Sequence, residues 1–332
     1  FITYQTGAQY TRGKTLEIGM AQLETANENE DMICAGPVYP MTDRGGHLDA
    51  NGYRWYGEML GKAYYRTKVL GQRFVPLQPI EISRTDNAKE IKIRFLVPKL
   101  PLVLDDWTVQ KKTDYGFRVY NDNAQQTITN IRIEGDCVYL TCAQDLSGVI
   151  EINYAGDGAN GGHGNLRDSD DYEAYYKYID HDKKNPDNSY FYPRDKENDN
   201  YVTLRPDYEP KTQSGEIIYD QPYPLYNFSV AFYYKLDKGE QNYKVPNLDD
   251  ITDSAEAVQV SGASLHQAGN SILLKGIKTP VQVKLYSLSG SLLQIIDAPQ
   301  AGLYSLNDFN KGIYIAKAVI DGNPCTLKIS IR

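Results

Sequence analysis

The chain has 332 residues, enough for two or three domains with separate cores, and 41% of them are apolar, the proportion of a globular protein. A net charge of −8 and the lack of any Lys/Arg cluster argue against nucleic acid or anionic membrane as a partner, since both need a positive face. No apolar run reaches the roughly 18 residues that span a bilayer, so no membrane insertion is expected and a neutral, polyhydroxylated partner fits better.

The chain opens at Phe1-Ile2-Thr3-Tyr4, which reads as a buried strand with no initiator Met and no basic leader, so Phe1 is expected to be a truncation point. From Thr15 to about Asn27, Leu16, Met20, Leu23 and Ala26 recur at helical spacing, and Met32 to Ala35 reads as a second strand. Asp49 is a good N-cap for a helix running to Leu70, with Tyr53, Tyr56, Leu60, Ala63 and Tyr64 on one face and Gly71 as its stop. Residues 1–75 therefore read as strand, helix, strand, loop, helix: an α/β segment.

From Gln78 the period changes to two. Ile80 to Ser83, Glu90 to Val97, Gly116 to Tyr120, Ile128 to Glu134, Cys137 to Cys142 and Val149 to Tyr154 read as strands, with Gly135-Asp136 as a hairpin turn. They predict a β-sandwich over 76–245, interrupted by a long polar loop, 156–224, before an apolar strand from Leu225 to Leu236. Loops of that length tend to be functional. A polar, acidic stretch over 246–258 reads as a linker. Beyond it, Ser271 to Leu274, Val281 to Ser287, Leu292 to Ile296, Gly302 to Ser305, Gly312 to Ile320 and Cys325 to Ile331 predict a small Ig-like antiparallel sandwich over 259–332. The fold class is α/β plus all-β.

Cys34 and Cys325 stand alone, and Cys137 and Cys142 on one strand point to opposite faces roughly 17 Å apart, so no zinc or redox spacing is present and these two cannot pair. Buried thiols are expected.

The segment from Gly36 to Tyr53 follows a strand and precedes the last helix of the α/β part, on the rim where parallel sheets bind ligands. A histidine there can serve a serine as general base if a carboxylate or carbonyl fixes its tautomer. The run His47-Leu48-Asp49-Ala50-Asn51-Gly52-Tyr53-Arg54-Trp55-Tyr56-Gly57-Glu58-Met59-Leu60-Gly61-Lys62-Ala63 resembles the last block of SGNH hydrolases, especially bacterial relatives of sialate O-acetylesterases and other carbohydrate acetylesterases. The resemblance implies that 1–75 is the C-terminal part of a flavodoxin-like α/β domain, with His47 as catalytic base and Asp43 as its orienting acid. It further implies a secreted serine esterase acting on a glycan or acetylated polysaccharide, without metal or cofactor. Two departures follow. In the family the acid lies three residues before the histidine, where this chain has Arg44, and Asp43 lies four before; a backbone carbonyl is the alternative. The family's serine and its oxyanion-hole Gly and Asn lie upstream of Phe1, so the missing N-terminal part of the same protein is the expected partner and the chain alone is expected to be inactive. Gln5, at the end of the first strand, is a candidate substrate contact; an ordinary loop histidine is the plainer reading of His47.

A second constellation is Gly161-Gly162-His163-Gly164-Asn165-Leu166-Arg167-Asp168-Ser169-Asp170-Asp171. One reading folds this loop onto the α/β rim and sets Asn165, Arg167 and Asp168 on sugar hydroxyls near His47. Another is a turn held by a local Arg-Asp pair, and calcium is a third, although the spacing matches no ligand loop. Tyr172, Tyr175, Tyr176, Tyr178, Tyr190 and Tyr192 suit stacking on sugars, or equally the filling of a half-buried β surface.

The C-terminal module, through Val281-Gln282-Val283-Lys284-Leu285-Tyr286-Ser287-Leu288-Ser289-Gly290, Lys311-Gly312-Ile313-Tyr314-Ile315-Ala316-Lys317 and Leu327-Lys328-Ile329, resembles the sorting domain of proteins exported by the type IX secretion system of Bacteroidetes-like bacteria. That resemblance implies a secreted or cell-surface protein; an ordinary Ig-like module is the alternative. The rival to an esterase is a non-catalytic glycan-binding or structural surface protein.

Overall fold

The computed structural model describes all residues except 8–12, 30, 44–46, 71, 157–160, 181–183, 185, 189–208, 249–263, 269–270, 276, 278, 288–290, 307–308, 321–322 and 332. The chain divides into two compact units, Phe1–Asp249 and Asp250–Arg332, so the α/β segment and the sandwich after it share one unit. Most of the expected linker lies outside the described residues. No described helix is long and apolar enough to cross a membrane.

In the first unit β1 (Ile2–Gln5) and β2 (Ile33–Pro37) run parallel, with Ile2 opposite Ile33, and helix α1 (Glu17–Glu28) connects them. Helix α2 (Ala50–Tyr64) follows and continues as a single π-helical turn, Tyr65–Val69. Successive strand residues face opposite ways. Gln5 reaches Gly19 of α1, while Tyr4 meets Tyr56 of α2 edge-on at 5.1 Å, so the two helices cover opposite faces of the pair.

Asp49 caps α2 as expected, its carboxylate accepting the Gly52 N–H at 2.7 Å. The buried face differs from the predicted one. Trp55, Met59, Lys62 and Ala63 are buried, whereas Tyr53 and Tyr64 are exposed. The cause is distant in sequence: Val38, Met41, Trp55 and Met59 form one cluster with Ala174, Tyr178, Tyr223 and Leu225. The polar stretch after Gly156 thus supplies a cover for α2 and holds short strands of its own.

The strands that follow are β3 (Gln78–Arg84), β4 (Glu90–Leu96), β5 (Val103–Leu104), β6 (Phe117–Asn121), β7 (Ala124–Gln125), β8 (Ile128–Glu134), β9 (Cys137–Cys142), β10 (Ile150–Tyr154), β11 (Leu166–Arg167), β12 (Glu173–Lys177), β13 (Pro222–Pro224), β14 (Phe232–Leu236) and β15 (Asn242–Lys244). Two antiparallel sheets result, in the orders β15-β3-β4-β9-β8 and β14-β10-β6-β7, with small pairs β11-β5 and β12-β13. The β8–β9 hairpin turns at Gly135-Asp136 as predicted, with Gly135 at φ +60°. Alternation puts Ile91, Ile93 and Phe95 of one sheet against Val119, Ile152 and Phe232 of the other, and Phe95 meets Phe232 at 6.0 Å.

β10 is buried on both faces. Its outer face carries Glu151, which pairs with Lys14 and accepts from the Tyr233 hydroxyl at 2.5 Å, and Asn153, which donates to the Lys14 carbonyl at 2.6 Å. The α/β segment therefore packs on the outside of the sandwich. Cys34, Cys137 and Cys142 are buried and unpaired, and burial pushes the Cys34 thiol up to about 11.

The second unit is a smaller antiparallel sandwich of β16 (Ser264–Ala268), β17 (Ser271–Lys275), β18 (Val281–Ser287), β19 (Leu292–Ala298), β20 (Gly302–Ser305), β21 (Gly312–Ile320) and β22 (Asn323–Ile331). Its sheets run β16-β17-β20 and β19-β18-β21-β22 around Ile272, Leu274, Val283, Leu285, Ala316 and Ile329. The predicted strands are all present, and β16 is an additional one.

Candidate functional site

His47 lies where β2 hands over to α2. Beyond Pro37 the chain stays on the rim of the sheet, because the Val38 N–H donates to the Gln5 carbonyl at 3.1 Å. Thr42 Oγ1 donates to Asp49 Oδ1 at 2.7 Å, the Asp49 N–H donates to the Thr42 carbonyl, and Asp43 bridges Leu48 in antiparallel fashion. The loop is thereby closed on itself at its base. Gly52 is required there: a Cβ at that position would sit 2.1 Å from the Thr42 carbonyl oxygen.

His47 itself is exposed, and no described residue hydrogen-bonds its ring. Asp43 is half-buried beside it in the loop, with no described bond to that ring. The first 75 residues contain no serine at all. Ser229, in the same unit, is buried and donates to the Val230 carbonyl.

The floor under the loop comes from residues that sequence reasoning passed over. Asn51 is fully buried and clamps the polar stretch: it donates to the Ile179 carbonyl at 2.8 Å and accepts the Ile179 N–H at 3.0 Å and the Tyr223 hydroxyl at 2.8 Å. Tyr178, also fully buried, donates to Glu209. Burial, together with the charges of Glu209 and Asp49, holds the Tyr178 phenol well above its ordinary range. A signal existed only in hindsight, since Asn51 sits in the His47 run and Tyr178 in the tyrosine-rich run.

Gln5 is placed on the rim as predicted, but its carboxamide faces inward and is fully buried. Its Nε2 donates to the carbonyls of Ala231 at 2.7 Å and Gly19 at 3.2 Å, and its Oε1 accepts the Ala231 N–H at 2.6 Å. The side chain imitates a strand's pairing with Ala231 and joins α1, β1 and the sandwich. No polar atom is left for a substrate.

Asn165, Arg167 and Asp168 make their described bonds with residues other than His47. Asn165 accepts the Lys112 N–H at 2.8 Å and donates to the Asp105 and Val109 carbonyls, both at 2.9 Å. Arg167 Nε donates to Asp105 Oδ2 at 2.6 Å, and its guanidinium lies between Tyr226 at 4.3 Å and Trp107 at 5.7 Å. Asp168 accepts the Lys99 N–H at 3.0 Å and Asn227 Nδ2 at 2.8 Å. Asn227 in turn leads to Lys62 and Asp170, and Arg66 holds Asp170 at 3.0 Å. That network grips the far end of α2, about 18 Å along its axis from the His47 end at roughly 1.5 Å per residue. The loop pairs with residues 99–115 and 227–229, and it meets the rim segment through His163, whose ring stands edge-on to Tyr39 at 6.1 Å.

Tyr190 and Tyr192 lie outside the described residues. Tyr178 is core, while Tyr172, Tyr175 and Tyr176 are exposed. No cluster of metal-ligating side chains occurs among the described residues. A surface cleft of about 260 Å³ lies at one end of the sandwich, lined by Arg84, Thr85, Asn87, Glu90, Ser147 and Gln241 among others. Its charged groups are occupied, Arg84 by the Gly148 and Glu240 carbonyls and Glu90 by Arg132.

No family model and no curated protein matches the chain. Among solved structures, an S-layer protein is similar at 9% identity over 86% of this chain and 44% of that one, with a TM-score of 0.22. The BSP domain of a biofilm-associated protein is similar at 8% identity over 77% of this chain and 51% of that one, with a TM-score of 0.17. The chain spans less than two thirds of either, and at such overlap neither fixes a function for it.

Proposed function

We propose that the chain belongs to a secreted or cell-surface carbohydrate esterase, with His47 as general base, Asp43 as its orienting acid, and a serine nucleophile supplied by polypeptide outside these residues. The observation that supports this best is the state of His47. Its imidazole is exposed on the rim of a parallel sheet, at the position that the resemblance gives to the base. A base of this kind accepts the proton of a serine brought to it and later returns it to the departing sugar hydroxyl, while a carboxylate on the other nitrogen fixes the tautomer. The His47 run's resemblance to SGNH carbohydrate esterases supports an acetylated glycan as the substrate class, and the C-terminal resemblance to sorting domains supports a secreted or surface location.

The test is hydrolysis of an aryl acetate and of acetylated xylan by this chain alone and by this chain together with the polypeptide proposed to carry the serine, with a fluorophosphonate probe reporting an activated serine. The expected result is background hydrolysis and no labelling for the chain alone, and turnover with labelling when that polypeptide is present. Labelling of neither excludes the esterase. The second reading, a non-catalytic structural surface protein, is favoured by a specific observation: Gln5, Asn165 and Asp168 hold structure together rather than line a cleft.

A further inference from the structure

β12 and β13 pair out of step. Glu173 lies opposite Pro224 and Lys177 opposite Pro222, so the longer span of β12 must bow out between the two contacts. The partner residues explain this. Proline has no N–H to donate, so neither Pro222 nor Pro224 can hold the intervening backbone in a regular ladder. Ala174 turns inward and is buried, while Tyr175 and Tyr176 are thrown outward at 90% and 61% exposure. Their rings meet edge to face, 5.5 Å apart. Tyr172, 45% exposed, stands one step before the strand.

The bulge sits on a rigid base. Directly after it come Tyr178, buried against Glu209 and Tyr223, and Ile179, held at both backbone groups by Asn51. Tyr175 and Tyr176 forgo most of the stabilisation that burying an aromatic ring gives a fold. Adjacent, fixed and outward-facing, they have no evident role in the core.

The surroundings specify what they fit. Glu173 and Lys177 flank the pair and cancel in charge, and the chain carries −8 overall, so a polyanion is disfavoured. A protein hot spot is enclosed by residues that exclude water; here the neighbours Asp171, Glu173 and Lys177 are exposed and charged. Sugar rings present C–H faces to an aromatic ring and hydroxyls to a phenol or a charged side chain, which matches this set. We propose that Tyr175 and Tyr176 form a binding platform for a neutral polysaccharide. The platform deepens the glycan reading above but needs no turnover, so it stands or falls separately from the esterase.

Native gels of the whole chain, cast with and without xylan, glucomannan or mixed-linkage β-glucan, test it. At least one of these gels is expected to retard the protein. The Tyr175→Ala/Tyr176→Ala variant should bind at least tenfold more weakly with an unchanged melting temperature. Equal retardation of wild type and double variant overturns the proposal. So does passage unretarded through every neutral gel, or retardation only by acidic polygalacturonate that salt abolishes. Single variants, Tyr175→Phe and Tyr176→Phe, are expected to retain most of the binding because they keep the ring.

Discussion

Lys62 is the most consequential single side chain of α2. Its ammonium is almost wholly buried and contacts Asp170 Oδ2 at 2.8 Å, Asn227 Oδ1 at 2.8 Å and the Leu225 carbonyl. Lys62→Ala leaves all three acceptors buried without it. Removing one partner of a buried pair destabilises by about 3–5 kcal/mol. Arg66 remains on Asp170 at 3.0 Å and Lys99 at 3.7 Å, which sets the expectation near the lower end, about 3 kcal/mol. In a unit of this size that lowers the melting temperature by about 6–12 °C. Differential scanning calorimetry of wild type, Lys62→Ala and Lys62→Met/Asp170→Asn is the assay. The double variant should recover part of the loss, because no Asp170 carboxylate is left buried without Lys62, while Arg66, which is partly exposed, gives up its partner to water. A Lys62→Ala shift below about 2 °C would refute the reasoning, as would a double variant less stable than the single.

Acid titration separates the two aspartates of the same network. Burial opposes ionisation of Asp170, but Lys62, then Arg66 and Lys99, outweigh it and hold the carboxyl below its ordinary 3.8. It therefore stabilises above pH 3.8, and that contribution is lost as pH falls through the folded value, so Asp170→Asn should flatten the acid limb of the melting-temperature profile. Asp168 is raised, chiefly by burial, so its contribution is present below pH 3.8 and is lost as pH rises to the folded value; Asp168→Asn should remove that decline. Gln5→Ala leaves the buried Ala231 N–H and carbonyl without their partner and should destabilise by about 2–4 kcal/mol, measured by urea titration. Gly52→Ala should unfold the rim loop, detectable as faster amide exchange at Thr42 and Leu48, since its Cβ has no room.

The strands were legible because an alternating pattern with Gly or Asn turns has few other solutions, as the β8–β9 hairpin and β18 to β21 illustrate. The buried face of α2 was not. Tyrosine serves core and surface alike, and Lys62 is buried only because Asp170, Asn227 and Leu225 fold onto it from more than 100 residues away. Gln5 has the same lesson, its partner Ala231 lying 226 residues on. Local pattern placed His47 on the rim, but it carried no information on which distant backbone would claim Asn165 and Asp168.

The central claim concerns His47 as a base, and it is tested most directly by acetate release from acetylated xylan by this chain together with the polypeptide proposed to carry the serine, with and without His47→Ala. The substitution of an exposed side chain should leave the melting temperature unchanged while turnover falls by about a thousandfold or more. Undiminished release by His47→Ala would contradict the account.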